Sequence, residues 1–320
     1  HYLRLSLTDR CNYSCAYCRP SEEWLPADKQ DLLSLEEIAR FTNWMVERGV
    51  RKVRLTGGEP LLRKGVVSLV QELRAIEGLE ELVMTTNGHL LDRFAEPLRN
   101  AGLDRLNISI DTVKRSKFNS LTGGELDNVL RGVEAALAAG FKNTRINAVL
   151  LSEVSKEERL ELVQYCWSKD LDVAFIEMMP IGNLSYQYDQ APMTRETLLA
   201  ELRETYDLHR DQRLGNRLSG PVDWYEMKSG TYTGKRVGTI SPMTDHHFCE
   251  TCNRARLTST GGFRGCLGND EEVQLLHTIR GDEKENCMQR VTDALNQKRD
   301  GHLMGEVGFV PLSAMTGIGG

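Results

Sequence analysis

Residues 2–18 read YLRLSLTDRCNYSCAYC. The first half alternates. Leu3, Leu5 and Leu7 interleave with Arg4, Ser6 and Thr8, and in a β-strand successive side chains point to opposite faces. One face is therefore wholly apolar and the other polar. Three cysteines follow at once, as Cys11-x-x-x-Cys15-x-x-Cys18.

The same alternation returns downstream. Val53 and Leu55 interleave with Lys52, Arg54 and Thr56, and Leu106, Ile108 and Ile110 with Arg105, Asn107 and Ser109. Arg145 and Asn147 sit among Thr144, Ile146 and Ala148. Six strands are predicted, at 2–7, 52–56, 82–86, 105–110, 144–150 and 172–177. Helical patterns separate them, at 34–48, 65–76, 90–101, 127–139 and 155–169. The first helix has the clearest ends. Ser34 and Glu37 form a capping box, Ile38, Phe41 and Met45 make one apolar face, and Gly49 stops it. Alternating strands and helices imply a parallel sheet with right-handed crossovers. A sheet covered by helices on both faces would be apolar on both. Here the helices cover the apolar face, and the polar face lines a lumen. A one-sided sheet with a solvated polar face is the alternative.

After about residue 182 the pattern changes. A further helix is expected at 194–206. The text from 214 to 262 is rich in Gly, Thr and Tyr and reads as short strands and turns. Helices are expected at 271–280 and 286–298, and the last residues read as a flexible tail. The division drawn is 1–213 and 214–320.

Forty per cent of residues are hydrophobic and the net charge is −6. That composition is globular, and the charge argues against a general nucleic-acid or acidic-membrane binder, while permitting a small anion held by local cations. No run of about 18 apolar residues offers a membrane span. The opening residues lack the regions of a signal peptide, which points to the cytoplasm, and the start inside a strand suggests a trimmed N-terminus. The oligomeric state is left open, a homodimer included.

Of eight cysteines, six fall in two groups, Cys11, Cys15, Cys18 and Cys249, Cys252, Cys266. In a reducing compartment such grouping indicates metal binding. Three thiolates on a cubane iron–sulfur cluster leave one iron open for a ligand, as a catalytic zinc keeps one position free. For the second group, His246 or His247 could complete a zinc site. Arg254 and Arg256 lie between its cysteines and, two apart in an extended segment, share a face; guanidinium groups suit phosphate. Cys166 reads as core and Cys287 as incidental.

The first cysteine group, with aromatic Tyr17 inside it, resembles the signature of the radical S-adenosylmethionine (SAM) superfamily, and Gly57-Gly58-Glu59-Pro60 resembles that superfamily's second motif. The whole chain, from strand one to Ile318-Gly319-Gly320, is similar to the GTP 3′,8-cyclase family, which opens molybdenum-cofactor biosynthesis. Further shared segments are residues 8–12, 56–63, 85–88, 175–177 and 180–183. The resemblance implies an incomplete (β/α)6 TIM-like barrel with a C-terminal segment carrying a second cluster. It implies two [4Fe-4S] clusters and SAM as cofactors. Tyr17, Gly57, Gly58, Glu59, Thr85, Ser109, Arg145 and Met179 would surround SAM, with Asn147 nearby. Arg4, Lys52, Arg54, Arg254 and Arg256 would hold GTP, and the terminal Gly319 and Gly320 would enter the active site. Arg145 stands where many relatives carry Lys, Ser14 where Arg is common, and Ala174 where Arg is frequent; if that Arg holds GTP in relatives, this chain lacks one contact. A flavodoxin- or ferredoxin-type reductant and cyclic pyranopterin monophosphate synthase, the next enzyme, would be partners. Competing readings are a different radical SAM enzyme with an auxiliary cluster, and a zinc or iron–sulfur binding module.

Overall fold

The computed structural model describes residues 1–18, 25–181, 192–211, 221–250, 252–269, 271–299, 301–302 and 304. The predicted terminal site residues Gly319 and Gly320, and the Gly182-Asn183 end of one shared segment, lie outside them.

Chain order is β1 (Tyr2–Ser6), α1 (Leu35–Glu47), β2 (Lys52–Thr56), α2 (Val66–Arg74), β3 (Glu81–Thr86), α3 (Leu91–Asn100), β4 (Arg105–Ser109), α4 (Arg115–Thr122), α5 (Leu126–Ala138), β5 (Arg145–Leu150), α6 (Lys156–Ser168) and β6 (Asp172–Glu177). Then come α7 (Arg195–Arg203), β7 (Leu208–Arg210), β8 (Asp223–Met227), β9 (Arg236–Ile240), β10 (Arg254–Leu257), β11 (Gly262–Arg264), β12 (Val273–Gln274), α8 (Leu276–Arg280) and α9 (Lys284–Asn296). The α1 capping box forms as expected. Ser34 Oγ accepts from the Glu37 N–H, and Glu37 Oε2 accepts from the Ser34 N–H.

Strands β1 to β6 are neighbours in sequence order and pair in parallel. The sheet does not stop at six. β10 adds in parallel to the free edge of β1, and β9 adds in parallel to the free edge of β6. Antiparallel strands follow outside each, giving the order β12-β11-β10-β1-β2-β3-β4-β5-β6-β9-β8-β7. The C-terminal region thus contributes no separate core. It covers both exposed edges of the six-stranded unit, where unpaired N–H and C=O groups would otherwise face solvent. The result is an incomplete TIM-like barrel extended at both edges.

The strand phases predicted from sequence hold. Leu3, Leu5, Leu7, Val53, Leu55, Leu106 and Ile108 pack with the α1, α2, α3 and α5 faces in one core, with Ile38, Phe41, Leu69, Leu98 and Val133. Residues of the opposite phase, Arg4, Arg54, Thr56, Thr85, Ser109, Arg145 and Asn147, line a cavity of about 300 Å³. The one-sided solvated sheet is therefore set aside. Cys166 is core as expected, and Cys287, read as incidental, is also fully buried. Three regions differ. α4 and β7 were not expected, and the helix expected at 271–280 divides into β12 and α8, because Val273 pairs with Phe263 of β11. Among the described residues no helix is long and apolar enough to cross a membrane.

Candidate functional site

The loop after β1 carries Cys11, Cys15 and Cys18, and three neighbours clamp it. From the β2 loop, the Gly58 N–H donates to Thr8 O at 2.7 Å and the Glu59 N–H to Arg10 O at 2.8 Å. From the β3 loop, Asn87 Nδ2 donates to Asn12 Oδ1 at 2.9 Å and lies 3.9 Å from Cys11 Sγ. From α4, the backbone oxygens of Thr122 and Leu121 accept from the N–H groups of Ser14 and Ala16. The unexpected helix α4 thus anchors the middle of the cysteine loop.

Gly57 and Gly58 are required by closeness. Gly57 has φ +145°, and a Cβ there would meet Thr8 O at 2.4 Å; a Cβ on Gly58 would meet Arg10 O at 2.3 Å. Both glycines line the cavity. Glu59, placed by resemblance beside SAM, behaves differently. Its carboxylate accepts from the N–H groups of Leu61 and Asn87 and from Thr86 Oγ1. It is buried behind the wall, and burial raises its pKa to about 7 against those three donors. Its side chain holds the β3 loop, and its backbone holds Arg10.

Tyr17, Thr85, Ser109, Asn147 and Met179 all line the cavity. Tyr17 donates to Asp111 Oδ2 at 2.7 Å, and Asp111 Oδ1 accepts from the Val149 N–H at 2.8 Å. Asp111 was missed in the sequence, although it continues the polar phase of Arg105, Asn107 and Ser109. Arg145 Nε donates to Asn147 Oδ1 at 2.9 Å. With the Asn107 amide oriented to accept, its oxygen lies 2.9 Å from both Arg145 Nη2 and Arg54 Nη1. Ala174 is fully buried against Val222 and Trp224, so β6 brings no cation to this wall.

Cys249, Cys252 and Cys266 line the same cavity. β10 places Arg254 opposite Tyr2 and Arg256 opposite Arg4, while β2 places Lys52 opposite Tyr2 and Arg54 opposite Arg4. The five cations selected from sequence are thereby assembled on three adjacent strands. Arg254 stacks on Phe248, its Cζ 5.0 Å from the ring centroid. Lys52 Nζ also pairs with Glu81 Oε2 at 2.5 Å, and Glu81 pairs with Arg105 at 2.9 Å. Lys298 Nζ lies 3.6 Å from Cys252 Sγ. Burial pushes the Cys252 thiol up, but Arg254 and Lys298 outweigh it and bring the pKa down to about 7. A low-pKa thiol is a ready metal ligand. Lys298 was not expected from the sequence; it lies 46 residues beyond Cys252.

All eight cysteines are free. Among the described residues no three His, Cys, Asp or Glu side chains converge tightly enough to hold one metal ion. Thiolates around a polynuclear cluster bind different irons and need no such convergence. Three thiolates in each set suit a cubane cluster that keeps one iron open, and His247 Nδ1 pairs with Glu250 at 2.8 Å.

Comparison with known proteins agrees with this arrangement. Residues 5–166 match the Radical SAM superfamily model, and residues 171–304 match Molybdenum Cofactor Synthesis C. The chain is 39% identical over 323 residues to a GTP 3′,8-cyclase of Hydrogenovibrio crunogenus, covering 100% of this chain and 96% of that one. A Sinorhizobium medicae GTP 3′,8-cyclase is 41% identical over 307 residues, covering 94% and 85%. Among solved structures, Streptococcus suis SuiB bound to S-adenosylmethionine superposes with TM-score 0.61 at 16% identity, covering 86% of this chain; the chain spans 63% of SuiB. An AdoMet-bound anSMEcpe structure superposes with TM-score 0.52 at 15% identity, covering 92% and 98%. The structural likenesses establish the shared fold, and identity of this depth across both halves of the chain leaves one conclusion: it belongs to the GTP 3′,8-cyclase family of the radical SAM superfamily.

Proposed function

We propose that this chain is a radical SAM lyase that converts GTP to (8S)-3′,8-cyclo-7,8-dihydroguanosine 5′-triphosphate, in molybdenum-cofactor biosynthesis. The observation that carries the reading is one cavity lined by both three-cysteine sets and by cations of β1, β2 and β10. Cys11, Cys15 and Cys18 would hold one [4Fe-4S] cluster, and Cys249, Cys252 and Cys266 a second. SAM bound beside the first cluster would supply the radical chemistry that removes hydrogen from C3′ of GTP.

The chain's own residues position and shield. Gly57 and Gly58 form a wall without side chains, so a ligand can approach the backbone closely. Tyr17, Thr85, Ser109, Arg145 and Met179 surround the SAM volume, Arg145 with its guanidinium toward the carboxylate. Arg4, Lys52, Arg54, Arg254 and Arg256 hold the triphosphate, where bidentate guanidinium contacts fix orientation as well as charge. With the phosphates fixed near β1, β2 and β10, the nucleoside would extend along the cavity with its ribose between the phosphates and the base. Positioning of this kind replaces a bimolecular encounter. The barrel wall excludes water that would quench a radical. We assign Gly319 and Gly320 to the active site as well. A flavodoxin- or ferredoxin-type donor would supply the electron, and cyclic pyranopterin monophosphate synthase would take the product.

The test is an anaerobic turnover with reconstituted protein, dithionite, SAM and GTP deuterated at C3′. Deuterium in 5′-deoxyadenosine is the expected result. SAM cleavage with no deuterium transfer and no loss of GTP would leave a radical SAM enzyme acting on another substrate.

A further inference from the structure

Tyr2 is a phenol surrounded by cations. It is in register with Lys52 on one side and Arg254 on the other, and it lines the cavity. Its ring centroid lies 5.2 Å from Lys52 Nζ and 5.6 Å from Arg54 Cζ. The residue is 5% exposed, and among the described residues its buried hydroxyl has no hydrogen-bond partner of good geometry.

The charges acting on that hydroxyl belong to Arg54, Arg4, Lys52 and Arg254. All are cations, and neither guanidinium nor ammonium has an acceptor. They can donate to the phenol oxygen but cannot receive its proton. The nearest carboxylate along this register, Glu81, is held by Lys52 and Arg105. Among the described residues, this buried O–H has donors around it and no acceptor. An acceptor that enters a nest of four cations is an anionic oxygen.

We propose that Tyr2 is a substrate-binding residue whose hydroxyl donates a hydrogen bond to a triphosphate oxygen of the nucleotide. The identity of the ligand rests on the function proposed above; the demand for an anionic acceptor does not. Burial raises the phenol pKa, but the four cations outweigh it and lower it to about 8. A bound phosphate oxygen supplies that acceptor and keeps the proton in place. The ring contributes separately. It packs against Lys52 and Arg54 and keeps both aligned toward the cavity.

The experiment compares reconstituted wild type with Tyr2→Phe, which keeps the ring and its cation contacts and removes one oxygen. Calorimetry would measure binding of inorganic tripolyphosphate, GTP and guanosine. The expected result is about tenfold weaker binding of tripolyphosphate and GTP, with guanosine unchanged, as for loss of one hydrogen bond to a charged group. In turnover, KM for GTP rises by a similar factor while kcat holds. Equal tripolyphosphate and GTP affinities in the two proteins would overturn the assignment. A loss of tripolyphosphate binding in a wild-type protein background that never consumes GTP would support Tyr2 as the phosphate donor and remove the cyclase reading instead.

Discussion

Gly58→Ala is the substitution from which the geometry derives most. Its Cβ would lie 2.3 Å from Arg10 O, 2.6 Å from Arg10 C and 2.8 Å from Asp9 O. All three are backbone atoms of the cysteine loop, so no side-chain rotation relieves the clash. Real contacts of this type stay above 3.0 Å, so the Arg10 carbonyl must retreat by roughly 0.7 Å. Arg10 directly precedes Cys11. The retreat also stretches the bonds from the Gly58 N–H to Thr8 O and from the Glu59 N–H to Arg10 O. Two such bonds at about 1 kcal/mol each and overpacking of about 1–3 kcal/mol set the destabilisation at roughly 3–5 kcal/mol. The functional effect is larger than the loss of stability suggests, because a 1 Å misplacement of reacting groups costs about a hundredfold in rate. The assay is iron and sulfide content after anaerobic reconstitution, followed by reductive SAM cleavage without GTP. Expected are a chain that still folds, a lowered iron content at the N-terminal set, and SAM cleavage reduced about a hundredfold. Gly58→Ala with full iron content and wild-type SAM cleavage would refute the claim that this contact positions Cys11.

Three further outcomes follow from other contacts. Cys266→Ser should lower bound iron to about half while leaving SAM cleavage in place, since the first cysteine set is untouched; iron analysis and a cleavage assay read both. Tyr17→Phe removes the donor 2.7 Å from buried Asp111 and should cost about 1–3 kcal/mol, read as a shifted denaturant midpoint at constant slope. Glu81 is pushed up by burial, yet its hydrogen bond to Lys52 and the charge of Arg105 leave its pKa below the ordinary value. A depressed carboxyl pKa means stability present above the unfolded value near 4.5 and lost as pH falls through the folded one. Glu81→Gln should therefore be less stable than wild type by about 1 kcal/mol at neutral pH, with the two curves converging in acid.

How much of this was legible beforehand depended on whether a feature was local. The six strands and five helices of the barrel unit are right to within a residue or two, because each carries its own period. The lumen was legible for the same reason: Arg4, Lys52, Arg54 and Asn147 fall on one phase, and phase survives folding. α4 was hidden because Arg115–Thr122 carries only Phe118, Leu121 and Thr122 to the interior, too few for a stripe. Its position is set by Ser14 and Ala16 of the cysteine loop, a hundred residues away in sequence. β12 was read as helix because Glu271–Arg280 holds a short apolar pattern, and only its pairing with β11 decides between periods. The edge pairings of β9 and β10 could not be read at all, since nothing within either strand names its neighbour. Glu59 shows a different limit. Its motif attached the whole residue to the cofactor, while three donors that sequence cannot locate claim its carboxylate for the wall.

The pairing of β10 with β1 explains how an acidic chain builds a basic site. Arg254 and Arg256 are more than two hundred residues from Arg4, yet parallel register sets them beside Tyr2 and Arg4 as Lys52 and Arg54 are set on the other side. Together with Arg145, six cations line the cavity among the described residues, and Asp111 and Glu177 are the two carboxylates that join them. Neither lining carboxylate is available to offset them, although Glu81, outside the lining, pairs with Lys52. Asp111 is committed to Tyr17 and Val149, and Glu177 accepts from the N–H groups of Arg195, Met243 and Thr244 and from Thr244 Oγ1. Burial alone would make such a wall expensive. The cost is spread by stacking, Lys52 and Arg54 on Tyr2, Arg145 on Trp224 and Arg254 on Phe248. Each aromatic ring gives a cation a partial partner without supplying a negative charge that would compete with the ligand. Carboxylates in those places would stabilise the empty barrel and weaken its hold on an anion. The fold therefore holds the acids of this lining in hydrogen bonds of their own, and the net charge of −6 says little about this cavity.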